Sequence, residues 1–167
     1  MRKIAISLSK GGVGKTTTAV NLSAGLARAG YRVLLIDTDT QGQASRALGV
    51  SSEAGLAELL SGEASPAEAI QEARERLYLL AGGRSLAGLK RSIDRKDFGG
   101  ENTLAEGLEA LDSSYDYAIL DTAPGWDSLT VNVLFYADEI LAPVSMEILT
   151  VSGLLYFQQS IQAIQKY

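Results

Sequence analysis

Lys10-Gly11-Gly12-Val13-Gly14-Lys15-Thr16-Thr17 is the stretch on which the reading of this chain turns. It follows a short apolar run, residues 3–8, and opens a segment with helical spacing, residues 15–29. A strand before and a helix after are what make a glycine-rich run a credible phosphate loop. Glycines let the backbone curl until successive N–H groups point inward and meet phosphate oxygens with no Cβ in the way. The helix N-terminus adds its unpaired N–H groups and the positive end of its dipole. Lys15 supplies a point charge for β- and γ-phosphates, and the Thr16 hydroxyl can join a Mg²⁺ shell. Thr17 is placed to hydrogen-bond a phosphate oxygen. A plain glycine turn would explain the glycines but not the Gly-Lys-Thr at the helix start.

Moving outward, the helix over 15–29 carries Val20, Leu22, Leu26 and Ala27 at helical spacing, and Gly30 stands where a C′ glycine belongs. Residues 32–36 read as a second buried strand, ending in Asp37-Thr38-Asp39. Strand, helix, strand within one sheet implies a right-handed parallel crossover. Further along, a helical piece is expected near 53–61. Ser65-Pro66-Ala67-Glu68 is a capping box with proline at N1, predicting a helix to about Arg74. Residues 77–80 read as a strand stopped by Gly82-Gly83, 84–97 as helix or loop, and 103–112 as a helix. Tyr117-Ala118-Ile119-Leu120 is a strand ending in Asp121. A helix over 128–137, a strand over 139–143 and a helix over 150–166, with Leu154, Leu155, Ile161 and Ile164 on its apolar side, complete the pattern. Alternating helices and continuously apolar strands predict a doubly wound α/β domain, a mainly parallel twisted sheet with helices on both faces.

Composition narrows the chemistry. The 167 residues contain no cysteine and no histidine. That excludes disulfides, cysteinyl iron–sulfur clusters, thiolate zinc sites, imidazole metal sites and any triad built on histidine. Carboxylates, lysines, hydroxyls, backbone amides or a bound ion must do the work. Asp37 and Asp39 stand at the carboxyl end of one predicted strand and Asp121 at the end of another, where parallel sheets bind ligands. Mg²⁺ takes oxygen ligands and keeps waters, so carboxylates near Thr16 suit its shell. Asp39 has a second reading, as N-cap of the following helix, and the two roles are compatible. The net charge of −5 gives no global argument for nucleic acid. No apolar run approaches the roughly 18 residues of a membrane span, and the start is too short for a signal h-region, so a cytoplasmic protein is expected.

The loop departs from the ordinary pattern in two places: Lys10 begins it, and Ser9 occupies the outer glycine position. With Lys10 to Thr18, the run 37–45, Asp121-Thr122-Ala123-Pro124-Gly125 and the run 137–144, all in order, the sequence resembles the ParA/MinD family of deviant Walker A ATPases, and within it the ParA (Soj-like) partition proteins. The resemblance implies a P-loop NTPase fold, three-layer α/β/α, binding ATP and ADP with Mg²⁺. It implies that Lys10 reaches across an ATP-dependent homodimer to the partner's nucleotide, where an added cation stabilises charge during transfer. It makes Lys10, Lys15 and Asp39 the catalytic set, with Asp39 positioning the attacking water. It makes Thr16, Asp37 and Asp121 the magnesium and water shell, and 121–125 the switch segment that senses the γ-phosphate. The family usually has proline where Thr40 and often where Ala123 stand here, so the local backbone is less restrained. Trp126 reads as a packing or interface residue.

The resemblance further implies slow hydrolysis stimulated by a ParB-like partner, and nonspecific DNA binding by the full-length form. It also predicts that this is a single P-loop domain without the family's C-terminal strands, adenine-contacting loop and basic helices. Within the chain, residues 53–75 carry six Glu against one Arg, and 101–127 carry seven acids and no base. Such runs are ordinarily solvated helix faces. The best local candidate for DNA phosphates is Arg84, Lys90, Arg91, Arg95 and Lys96. Two other readings stand beside the partition switch: a nucleotide-binding regulatory module that does not hydrolyse, and a MinD-like membrane-cycling ATPase.

Overall fold

β1 (Arg2–Ile6), β2 (Val33–Asp37), β4 (Leu77–Leu80), β5 (Tyr117–Asp121) and β6 (Glu139–Leu141) are the parallel strands of one sheet. A sixth strand, β3 (Ile70–Arg74), runs antiparallel on the edge, and the order is β3-β4-β2-β5-β1-β6. The structure is a computed structural model that describes residues 1–164.

The core divides along the alternation of the strands. Leu34, Ile36, Leu80, Ala118 and Leu120 face one way, against α3 (Leu56–Ser61), α5 (Leu86–Asp94), α6 (Thr103–Leu108) and α7 (Ser128–Tyr136). Val33, Leu35, Leu77, Leu79 and Ile119 face the other way, against α1 (Lys15–Arg28) and α2 (Gln43–Leu48). Every residue of β2 is buried, as a strand covered on both faces must be. The arrangement is the three-layer α/β/α expected, and each fully buried Leu or Ile contributes about 1.5–3 kcal/mol to it.

Element boundaries shift where packing decides them. The first strand ends at Ile6 rather than residue 8, and the strand expected over 139–143 stops at Leu141. The buried strip of α1 is Lys15, Ala19, Ser23 and Ala27, small residues after the lysine, so the helix lies close on the sheet while Leu22 and Leu26 are only half-buried. α2 is the helix expected after Asp39, whose bounds the sequence leaves open: its six residues are too short a period to read.

The helix expected from Ser65 to Arg74 is a correction. The capping box forms, with the Ser65 N–H donating to Glu68 at 2.8 Å, but α4 lasts only Pro66–Ala69. At Ile70 the chain turns extended and becomes β3, pairing with β4 from Ile70↔Leu80 onward. Pairing with an otherwise open sheet edge outweighs local helix propensity. The last helix, α8 (Ile148–Ile164), begins two residues before the expected 150, and residues 165–166 of the expectation lie outside the described residues. Thr150 and Phe157 are its buried residues among those described, with Leu154 and Ile161 half-buried, whereas Leu155 is exposed and the side chain of Ile164 lies outside the described set.

Candidate functional site

β5 lies between β1 and β2, so the loop after β1 and the end of β2 flank one strand end. In register, Asp121 stands beside both Ile6 and Asp37. Two threonines tie these ends together. Thr38 donates its hydroxyl to the Asp121 carbonyl at 2.8 Å, and Thr122 donates to the Ile6 carbonyl at 2.9 Å. Sequence reasoning missed both; each directly follows a strand-end aspartate, which was the available signal.

The loop from Lys10 opens into α1 through Gly12 and Gly14, whose φ values are +73° and +89°. Both are left-handed positions that residues with a Cβ rarely occupy. Gly14 caps α1 without a side chain, leaving the first-turn N–H groups facing outward. A cleft of about 570 Å³ lies over this loop, lined by Gly11, Gly12, Gly14, Lys15, Thr16 and Thr17, by Asp39 and Thr40, and by Thr122 to Pro124. Pro124 lies close to Gly11, where an added Cβ would be 3.7 Å from it.

Lys15 is buried, and its ammonium donates to the Lys10 carbonyl at 2.8 Å. Burial lowers its pKa, and the charges of Asp121 and Asp39 work against that. Val13 and Lys10 do not line the cleft. Lys10 instead points to the start of α8, donating to Thr150 at 2.6 Å and to Glu147 at 3.1 Å.

The three aspartates take different positions. Asp37 is fully buried, and its two oxygens accept the N–H groups of Asp39 at 2.9 Å and Ala44 at 3.0 Å. Burial pushes it up to about 6, with those two hydrogen bonds opposing. Asp37 therefore performs the helix-start task read for Asp39, whose own carboxylate accepts from Gln41 N–H at 2.9 Å in a turn, while Gly42 is the N-cap of α2. The difference arises because the chain makes a turn over 39–42 before α2 begins. Asp39 faces the cleft. Asp121 is fully buried and neither oxygen has a hydrogen-bond partner of regular geometry. Burial pushes it up to about 7; the Thr16 side chain offsets this in part, while Asp37 and Asp39 add to it.

An orphaned carboxylate beside a threonine is the environment that a hard cation satisfies. Among the described residues no group of three or more carboxylates forms a protein cage. That donor set fits an ion which takes one or two carboxylates and completes its shell with phosphate and water.

Gly82 lets β4 end against this centre. A Cβ there would lie 2.7 Å from the carbonyl oxygens of both Asp37 and Asp39. The next segment holds a second correction. Arg84, Arg91, Arg95 and Lys96 are exposed, but Lys90 is not part of that surface. It turns inward to the cleft and pairs with Asp127 at 2.5 Å. The helical turn of α5 separates it from Arg91, which a linear charge count cannot show. Phe98, 95% exposed, stands directly after the basic stretch. Trp126 packs edge-on against Phe157 of α8, with centroids 5.7 Å apart.

Comparison with known proteins supports the same picture. A family model described as an AAA domain matches residues 1–167. The chain is 41% identical over 153 residues to the chromosome-partitioning ATPase Soj of Thermus thermophilus, covering 92% of this chain and 58% of that protein. It is 38% identical over 172 residues to the sporulation initiation inhibitor protein Soj of Bacillus subtilis, covering 98% and 66%. It thus spans less than two thirds of these relatives. Among solved structures, cobyrinic acid a,c-diamide synthase of Mycobacterium smegmatis, with bound ATP analog and magnesium, superposes with a TM-score of 0.92 at 33% identity, covering 99% of this chain and 69% of that one. With the match running the whole chain and agreeing with relatives found by sequence and by fold, the chain belongs to the ParA/MinD family of AAA-domain ATPases.

Proposed function

We propose that the chain is the nucleotide-binding and hydrolysing core of a ParA-like partition switch. The observation that carries this is one cleft in which the phosphate loop, Asp39 and the 122–124 segment meet above the buried carboxylate of Asp121, which has no hydrogen-bond partner of regular geometry. Backbone amides of Gly11 to Gly14 cradle the phosphates, and Lys15 exchanges the Lys10 carbonyl for β- and γ-phosphate oxygens. Thr16 and Asp121 would hold Mg²⁺, with Asp37 in its water shell. The ion, when bound, neutralises charge between the β- and γ-phosphates. Asp39 orients the water that attacks the γ-phosphate, giving ADP and inorganic phosphate.

The names of the relatives support partition as the purpose, and an ATP-dependent homodimer is the working form that the family resemblance implies. Reaching a partner's nucleotide would take Lys10 off Glu147 and Thr150. A ParB-like protein is the proposed stimulator. The exposed Arg84, Arg91, Arg95 and Lys96 are the local surface for nonspecific DNA. Among the described residues no helix is long and apolar enough to cross a membrane.

The test is Asp39→Ala. This variant should bind ATP like the parent and release phosphate at least about 100-fold more slowly, the usual scale for a group that handles the attacking water. Loss of ATP binding, or an unchanged rate, contradicts the role of Asp39. A parent chain that binds ATP yet releases no phosphate, with DNA and a ParB-like protein present, is the non-hydrolysing regulatory module instead.

A further inference from the structure

Lys90 reaches the cleft from α5, an element separate from the phosphate loop. Its ammonium pairs with one oxygen of Asp127 at 2.5 Å, and their side chains are 18% and 38% exposed. The other Asp127 oxygen accepts the Thr130 N–H at 2.8 Å and caps α7. Asp127 is therefore held by the helix whether or not Lys90 stays. Burial would raise the Asp127 pKa, but Lys90 and the Thr130 N–H outweigh it and hold the carboxyl below the usual range. The pair closes the segment that starts at Asp121 and passes through Gly125, whose φ is +114°.

A cation on the wall of a phosphate cleft has two uses. It can lock α5 to α7 as a fixed bridge, or it can change partners when an anion arrives. The geometry favours the second use. Lys90 and Asp127 both line the cleft, lysine is a point charge on a flexible stem, and a phosphate oxygen offers the same charge-assisted hydrogen bond as the carboxylate it would replace. Lys90 would add a second cation of this chain to Lys15 on the wall of the cleft.

We propose that Lys90 is a further phosphate-binding residue, which leaves Asp127, its partner in the nucleotide-free chain, for the terminal phosphate of a bound nucleoside triphosphate. This rests on the nucleotide reading above and adds to it a source of discrimination between triphosphate and diphosphate. α7 keeps its cap during the exchange, because the Thr130 hydrogen bond uses the other oxygen.

The experiment is calorimetric titration of the full chain with Mg²⁺–ATP and with Mg²⁺–ADP, for the parent, Lys90→Gln, Lys90→Arg and Asp127→Asn, with thermal unfolding run on each. Lys90→Gln should weaken ATP about tenfold, the scale of one charge-assisted contact, and leave ADP within about twofold. Lys90→Arg should keep the parent's ATP-to-ADP ratio. Asp127→Asn retains an acceptor for Thr130 and frees the lysine, so the ratio should hold or rise. A fixed bridge predicts otherwise: Lys90→Gln and Asp127→Asn would both lower unfolding temperature and move the two nucleotides equally, and that result overturns the proposal. So does a Lys90→Gln variant with an unchanged ratio. A parent chain that binds neither nucleotide overturns the nucleotide reading itself, which separates that failure from this one.

Discussion

Asp37 and Asp121 stand in register on neighbouring strands, both fully buried, yet their surroundings treat them differently. Asp37 spends its oxygens on two backbone N–H groups, and Asp121 has none to accept. Held up at about 7, against an ordinary 3.8, Asp121 favours the folded chain only while protonated. Its contribution is fully present below about pH 4 and is lost as pH rises through about 7. Asp121→Asn should therefore stabilise the nucleotide-free chain at pH 8 by about 2 kcal/mol, raising the unfolding midpoint by about 4–8 °C. The gain should vanish near pH 4, which a series of thermal scans across pH would show. A variant equally stabilised at pH 4, or destabilised at pH 8, would contradict burial of an ionised Asp121 as the cause. The two strand-end carboxylates were legible because an apolar run ending in Asp is a strong pattern. Their division of labour was not, because it depends on α2, whose six residues carry no readable period.

The β3–β4 hairpin shows the same limit at the level of elements. Ser65, Pro66 and Glu68 form the predicted helix start, so the local chemistry was read correctly. The fate of the next five residues is decided by β4, whose free edge takes Ile70 to Arg74 as an antiparallel partner. The hairpin turn places Arg76 at φ +62°, a left-handed conformation for a residue with a Cβ. Its guanidinium donates to the Gly30 carbonyl at 3.1 Å in an exposed contact. Arg76→Gly removes a steric cost of about 1 kcal/mol and loses a hydrogen bond of little net weight. The variant should melt about 2–4 °C higher with its far-ultraviolet spectrum unchanged. A lower midpoint would show that the Arg76–Gly30 contact, not the turn geometry, holds the hairpin.

Across the whole molecule, the strand order matters more than any one strand. Placing β5 between β1 and β2 brings Asp121 beneath the phosphate loop and beside Asp37, which the sequence order of the motifs does not show. The motif order and the α/β alternation were enough to expect a layered sheet with a phosphate site at its carboxyl edge. Lys90 was not legible as a cleft residue, because its neighbours Arg91, Arg95 and Lys96 do face outward and the string gives all four one appearance. The central claim is that this edge binds Mg²⁺–nucleotide through the glycine loop and Lys15. It is tested most directly by titrating the chain and its Lys15→Ala variant with ATP in the presence of Mg²⁺. Saturable one-to-one binding per chain, lost in a variant that remains folded, is the predicted result; equal binding by both chains, or none by the parent, would contradict it.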